Sequence, residues 1–123
     1  MDNLKSIFDE IKQLMTVYQP PMVAASNYET RFELYTDKPV VIEGRKKPNL
    51  AFAAIIIQSS YVGFYFMPVY TDVEIKEVFN PDLLKLLKGK SCFHIKKTTP
   101  ELLRQIQEAL KIGFVKYQNH GWV

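Results

Sequence analysis

The sequence predicts an α+β fold, in which an antiparallel sheet of about five strands carries N- and C-terminal helices packed mainly on one face. Near both ends of the chain, apolar residues recur at steps of three and four, which is typical of amphipathic helices. Between the ends, short segments alternate apolar and polar residues, which is typical of strands. A chain of 123 residues fits one domain, so residues 1–123 are predicted to form a single unit.

The two terminal helices have clear limits in the sequence. The first is predicted over residues 4–15, and the Pro20-Pro21 pair prevents its continuation because proline cannot donate to the helical ladder. The last is predicted to open at Thr98 or Thr99, whose hydroxyl can cap the first turn. Both helices carry one apolar stripe, so each is expected to bury one side against the sheet.

Strands and turns fill the middle of the chain. The segments 50–57 and 61–69 are apolar at almost every position and are separated by a short polar break, which predicts a hairpin at the sheet centre with both faces at least partly covered. Gly44 indicates a turn with positive φ, and a short helix is predicted from Pro81 to a stop at Gly89. Further strands are predicted over residues 28–36, 40–42 and 92–96.

Composition and charge limit the classes of function. The formal net charge is +3, weaker than the basic bias of dedicated nucleic-acid-binding proteins, so nucleic acid is a disfavoured partner. Cys92 is the only cysteine, which excludes an intrachain disulfide and thiol-rich metal sites. The N-terminus has no pattern of a secretory signal, and the longest apolar run, residues 50–57, is too short to span a membrane. The sequence therefore predicts a cytoplasmic protein without a membrane partner.

Aromatic residues are densest between Tyr61 and Tyr70. In a strand, Tyr61, Gly63 and Tyr65 lie on one face and the intervening apolar residues lie on the other. One set is expected to meet the helices. The other set is either core or a ligand or subunit surface, because large exposed aromatic patches are uncommon on monomers. Gly63 would allow a partner to approach the backbone closely.

Basic residues cluster in two places, around Arg45 and around Lys96. They are either solvated turns or a site for an anion, in which arginine would make the directional contacts. Cys92 and His94 share one strand face and are either structural residues or a thiol–imidazole or soft-metal pair. The candidate ligand-binding or interface residues are therefore Arg45, Lys46, Tyr61, Gly63, Tyr65, Tyr70, His94 and Lys96.

Three stretches of sequence are characteristic in combination, residues 44–48, 58–70 and 86–97, and the Gly121-Trp122 pair closes the chain. With them the chain resembles the bacterial YdhG-like family, a domain of unknown function, from about residue 32 to the C-terminus. The resemblance implies a small fold with an antiparallel sheet and flanking helices, and it implies no established activity. Some members are likened to frataxins, which handle iron through an acidic ridge.

The likeness to frataxins adds an iron site as an alternative. Hard iron favours carboxylate ligands, and Asp9, Glu10, Glu29 and Glu33 would form such a ridge. Glu29 and Glu33 are about 13 Å apart if both lie on one strand, so they cannot hold one ion together, and Arg31 lies between them. A salt-bridged solvent face is the other interpretation of these residues.

No nucleophile motif, phosphate-binding glycine loop or carboxylate pair indicates a catalytic site, so no catalytic residue is predicted. The sequence favours a non-enzymatic domain that associates with itself and uses an aromatic sheet face and the neighbouring basic loop to bind an unknown small ligand or partner. This interpretation involves no cofactor and no metal. Iron handling, and an enzyme with an unrecognised pocket, are the alternatives.

Overall fold

The computed structural model describes residues 3–42, 44–89 and 91–123. Within these residues, two long helices lie near the ends of the chain, and eight strands lie between them. A 3-10 helix over Val73–Val78 follows the second α-helix. In chain order the elements are α1 (Leu4–Thr16), β1 (Val23–Tyr28), β2 (Arg31–Tyr35), β3 (Val40–Ile42), β4 (Arg45–Lys47), β5 (Ala51–Ile57), β6 (Val62–Phe66), α2 (Pro68–Thr71), α3 (Pro81–Leu84), β7 (Leu87–Lys88), β8 (Cys92–Ile95) and α4 (Pro100–Asn119).

Six of the strands form one antiparallel sheet in the order β1-β2-β5-β6-β8-β7, and β3 pairs with β4 in a separate ribbon. The predicted α+β class, with terminal helices on an antiparallel sheet, is confirmed. The hairpin at the sheet centre is also confirmed, because β5 and β6 are the two middle strands and Ile55 lies opposite Phe64. Pro68 follows the end of β6 and begins α2, since it cannot donate to a ladder.

The strand predicted over residues 28–36 is wrong at its start. Its first residue, Tyr28, ends β1 and pairs with Arg31, and residues 29 and 30 form the turn, so β2 begins at Arg31. The strand β1 was not predicted, because its side chains at the sheet edge are mostly exposed and carry little apolar alternation. The sheet therefore has one strand more than the prediction of about five.

The core lies between the helices and one face of the sheet. On β6 the side chains of Val62, Phe64 and Phe66 are fully buried, so this is the set that meets the helices. Their neighbours in the same core come from α1, including Phe8, and from α4, including Ile106. The short helices α2 and α3 both contact α4, so the helices gather on this face. None of the described helices is long and apolar enough to cross a membrane.

The opposite face, which we call the open face, carries the alternate side chains. Glu33, Tyr65, Cys92 and His94 lie on it and are half-buried. Pairing across β2, β5, β6 and β8 places Glu33, Ala54, Tyr65 and Cys92 in one row. The sequence predicted that both faces of the central hairpin are at least partly covered. Within the described residues, helices cover one face only, and the side chains named on the open face are half-buried.

The short helix predicted from Pro81 to a stop at Gly89 is correct in its first half and wrong in its second half. The Asn80 side chain caps the start of α3 by accepting from the Asp82 amide at 2.9 Å, but α3 ends at Leu84. Leu87–Lys88 instead forms the edge strand β7, and Gly89, with φ of +84°, turns the chain into β8. The positive φ predicted at Gly44 is confirmed at +78° in the turn of the β3–β4 ribbon.

Candidate functional site

A cleft lies between the β3–β4 ribbon and the end of the chain, and we call it the C-terminal cleft. Its volume is about 770 Å³, within the range of sites that hold small organic molecules. The ribbon, the start of α2 and the residues after α4 each supply part of its lining. The lining residues are Val41, Ile42, Arg45, Lys47, Leu50, Met67, Tyr70, Thr71, His120 and Trp122.

Local sequence at the end of α4 builds one wall of this cleft. The helix ends at Asn119 with His120 as its C-cap, and Gly121 follows with φ of +77°, a conformation that glycine adopts without strain. The Gly121 amide donates to the Gln118 carbonyl and the Trp122 amide donates to the Tyr117 carbonyl, each at 3.0 Å. This paired bonding is the Schellman motif, which folds the chain back against the helix. Trp122 is thereby packed edge-on to the Tyr117 ring, with 5.0 Å between centroids.

A histidine and a buried aspartate meet at the same wall. His120 Nε2 lies 2.9 Å from Asp72 Oδ1, and the imidazole stacks on the Trp122 ring with centroids 4.0 Å apart. The second carboxylate oxygen of Asp72 accepts from Thr71 Oγ1 at 3.1 Å. Asp72 is buried, so these two partners satisfy a carboxylate that would be costly to bury alone. The pair fixes the orientation of the imidazole at the edge of the cleft.

The facing wall is cationic at its rim. All three residues of β4 are exposed; Arg45 and Lys47, two residues apart, line the cleft, whereas Lys46 between them does not. Neither Arg45 nor Lys47 forms an ion pair with another described residue. Apolar side chains of the ribbon, Val41 and Ile42, continue the same wall. The cleft therefore joins an apolar and aromatic surface to two positive charges.

Tyr117 supports the cleft from within the core and gives a test of the packing. Its buried hydroxyl donates to the Ala51 carbonyl at 2.6 Å. Burial, with a smaller contribution from the Asp72 carboxylate, raises the pKa of the Tyr117 phenol well above its ordinary value of 10.0. The folded state then holds this proton more tightly than the unfolded state. The stabilisation is complete below about pH 10 and decreases as the pH rises from there towards the folded-state pKa.

We expect alkaline pH to destabilise the protein partly through this one phenol. Between pH 8 and pH 11, the free energy of unfolding of the unmodified protein should fall by about 1 kcal/mol more than that of Tyr117→Phe. Guanidinium unfolding at both pH values measures the difference. Tyr28→Phe, at an exposed tyrosine, is the matched control and should keep the full pH dependence. Equal pH dependence in Tyr117→Phe and the unmodified protein would contradict the assignment.

Seven of the eight candidate residues predicted from the sequence fall in three places, and the eighth, Lys46, is exposed and lines neither cleft. Arg45 and Tyr70 line the C-terminal cleft. His94 and Lys96 line a second cleft of about 540 Å³ at the C-terminal end of β8, and we call it the lysine cleft. The remaining aromatic candidates, Tyr61, Gly63 and Tyr65, belong to β6 and the turn before it, and they line neither cleft. The basic loop and the aromatic sheet face, predicted as neighbours, are therefore not joined in one site.

On the open face, the aromatic candidates contact each other and their own strand neighbours. The Tyr61 ring stacks on the His94 imidazole, with centroids 3.9 Å apart and planes 14° apart. The Tyr65 ring covers Gly63 so closely that a Cβ atom there would lie 2.8 Å from a ring carbon. Gln58 Nε2 donates to the Tyr65 hydroxyl at 3.2 Å. The space above Gly63, predicted for a partner, is thus filled by Tyr65.

Cys92 and His94 share the open face, as predicted, but nothing marks them as reactive. Burial raises the pKa of the Cys92 thiol, which lowers the fraction of the nucleophilic thiolate. The His94 imidazole is stacked on the Tyr61 ring. Among the described residues no group of three or more histidine, cysteine or acidic side chains is placed to hold a metal ion.

The four carboxylates of the iron hypothesis lie in different surroundings. Asp9 pairs with Lys5 at 3.2 Å, and Glu10 accepts from Thr98 Oγ1 at 3.0 Å. Glu33 lies on the open face, where Arg31 and Ser26 both donate to it at 2.8 Å. These donors, with the Arg31 hydrogen bond as the main cause, lower the pKa of the Glu33 carboxyl. Glu29 is exposed in the β1–β2 turn and not in a strand. Iron binding stays a prediction that these contacts do not favour.

We did not predict from the sequence that His120 and Trp122 line the C-terminal cleft, or that Asp72 contacts His120 at its edge. Asp72 and His120 are 48 positions apart, so no local spacing signals their contact. The sequence held one signal for the position of Trp122, which is Gly121 directly after a long helical pattern. A glycine at that place lets the chain fold back, so that the next residue packs against the end of the helix.

Comparisons with known protein families, curated proteins and solved structures gave no match to this chain. The resemblance to the YdhG-like family therefore stays a prediction. The described part of the chain is thus an α+β domain in which two surface clefts differ in their chemistry. Each of these two clefts is a candidate site for a different kind of ligand.

Proposed function

We propose that the protein is a non-enzymatic binding domain that holds a small organic anion in the C-terminal cleft. The observation that carries the proposal is the pairing, in one cleft of about 770 Å³, of the cations Arg45 and Lys47 with an apolar and aromatic wall. Sites for small molecules are mostly apolar with a few polar groups that fix orientation. The ligand class that fits is a carboxylate or phosphate attached to an apolar or planar group.

Each part of the cleft has a role in this proposal. Arg45 contacts the anionic group, because a guanidinium can bind a carboxylate or phosphate through two parallel hydrogen bonds. Lys47 adds a second positive charge on the same strand face. Leu50 and Met67 receive the apolar body, and the Trp122 indole bounds it. The Asp72 carboxylate is engaged by His120 and Thr71, which reduces its repulsion of an anion.

Trp122 makes the proposal directly testable, because it is the only tryptophan of the chain and lines the cleft. Its fluorescence should respond to titration with aryl and alkyl carboxylates and phosphates, and not to the corresponding neutral amides and alcohols. Changing Arg45→Gln together with Lys47→Gln should weaken the binding of any responding anion at least about tenfold, equivalent to about 1.4 kcal/mol. Lys96→Gln with Lys97→Gln removes the same charge at positions that do not line the C-terminal cleft and should leave the response intact.

Two results would contradict the proposal. A panel of such anions that produces no saturable change in Trp122 emission removes the site. Equal weakening by the Arg45/Lys47 and the Lys96/Lys97 pairs would mean that overall charge, and not the cleft, attracts the anion.

Self-association, a cytoplasmic location and the YdhG-like family assignment stay predictions from the sequence. The stacking of Tyr61 on His94 and of Tyr65 over Gly63 removes part of the reason for expecting a subunit on the open face.

A further inference from the structure

The lysine cleft lies where α3, the end of β8 and the start of α4 meet, on different elements from the C-terminal cleft. Its volume is about 540 Å³. The segment from α3 to β7 supplies one side, and the segment from β8 to α4 supplies the other. The lining residues are Asp82, Lys85, Leu86, Lys88, His94, Lys96, Lys97, Thr99 and Leu102.

The charge in this cleft is strongly unbalanced. Four lysines face one aspartate among the lining residues, an excess of three positive charges, as large as the formal net charge of +3 of the whole chain. Asp82 lies 3.8 Å from Lys85, and both side chains are largely exposed. Lys88, Lys96 and Lys97 form no ion pair with another described residue. Like charges gathered around one cavity repel each other, and a multivalent anion would relieve that repulsion.

The rest of the cleft is fixed and partly apolar. Leu86 and Leu102 contribute side chains that pack against the core. His94 is held on one side by its stack with Tyr61 and through its backbone amide, which donates to the Leu86 carbonyl at 2.9 Å. Such a cavity is a compact site. No phenylalanine, tyrosine or tryptophan is among its lining residues, so it lacks the series of aromatic platforms on which the bases of a nucleic-acid strand stack.

We propose that the lysine cleft binds the oligophosphate group of a small ligand, that is, two or more linked phosphates. Lysine ammonium groups act as point charges that contact phosphate oxygens from several directions, whereas planar carboxylates favour the fork of an arginine. The four lysines lie on both sides of one cavity, so they can contact more than one phosphate at once. A free inorganic oligophosphate and a nucleoside polyphosphate share this chemistry.

Calorimetric titration in buffer without divalent cations tests the site. Inorganic tripolyphosphate should bind with a stoichiometry of one, and orthophosphate should bind at least about tenfold more weakly, since it presents one phosphate. Raising the salt concentration should weaken tripolyphosphate binding. ATP binding tighter than tripolyphosphate identifies a nucleotide as the preferred source, and equal binding identifies the oligophosphate alone. Both outcomes support the site.

Paired substitutions separate the cleft from general attraction. Lys96→Gln with Lys97→Gln should lower tripolyphosphate affinity at least tenfold while leaving the thermal midpoint unchanged, because both side chains are exposed. Lys38→Gln with Lys111→Gln removes the same charge at exposed positions outside the cleft and should change affinity less than twofold. Equal loss in the two pairs overturns the proposal, as does orthophosphate binding as tightly as tripolyphosphate. Tighter binding of a single-stranded oligonucleotide, with several protein molecules per strand, would overturn it in favour of a nucleic-acid surface. The Trp122 response belongs to the other cleft, so failure here leaves the proposed function standing.

Discussion

Phe52→Ala should lower the free energy of unfolding by about 3–5 kcal/mol, the range for removing a fully buried phenylalanine side chain. Phe52 has no exposed surface. Its ring lies at the centre of an aromatic cluster, with centroids 5.2 Å from Tyr117, 5.6 Å from Phe66 and 5.8 Å from Tyr18. The substitution removes all of these contacts and leaves a cavity. Because a small domain has a total stability of about 5–15 kcal/mol, this loss is a large fraction of the total.

Guanidinium unfolding followed by circular dichroism measures the change. Tyr28→Ala removes an aromatic ring that is 65% exposed at the end of β1, and it should change the stability by less than about 0.5 kcal/mol. Phe52→Leu should cost only about 1 kcal/mol, because most of the volume is kept. A loss below 1.5 kcal/mol for Phe52→Ala would show that the aromatic cluster is not the centre of the core.

The sequence predicted the fold class because the strongest periodic segments all lie in the core. The stripe of α1 contains Ile7, Phe8 and Ile11, which are fully buried, and their spacing is visible without a structure. Alternation failed where the backbone is irregular. The register between β2 and β5 shifts at Leu34/Tyr35, and the consecutive residues Phe52 and Ala53 are both buried on the opposite strand. No pattern of period two reveals such a shift.

The candidate site was predictable only in part, for a related reason. Arg45 and Tyr70 were found because a basic turn and an aromatic run stand out locally, and both line the C-terminal cleft. Their partners are brought together by tertiary contacts, as in the pair of Asp72 and His120. The aromatic residues on the open face stood out equally, but Tyr61 and Tyr65 are packed against His94 and Gly63. The run of aromatic residues therefore indicated side-chain packing at β6. Only Tyr70, beyond the end of that strand, lines the C-terminal cleft.

The C-terminal cleft depends on one close helix contact, and Gly113→Ala should expose this dependence. In the interior of an exposed helix the change from glycine to alanine stabilises by about 1 kcal/mol. Gly113 is buried in α4, and a Cβ atom there would lie 2.5 Å from Phe66 Cζ and 2.8 Å from Pro68 Cγ. Overpacking of this kind costs about 1–3 kcal/mol. The proline ring is rigid, so we expect a net loss of about 1–2 kcal/mol, opposite in sign to helix propensity.

The same substitution should disturb the ligand site, because Pro68 begins α2 and this helix carries Tyr70 and Thr71 into the C-terminal cleft. Displacement of α2 by the new methyl group should change Trp122 emission and weaken anion binding there. Lys111→Gly, at an exposed position of the same helix, is the matched control. It should cost about 1 kcal/mol through helix propensity and leave Trp122 emission unchanged. If Gly113→Ala instead raises the stability, or if both variants change the emission alike, α4 does not set the position of α2 through this contact.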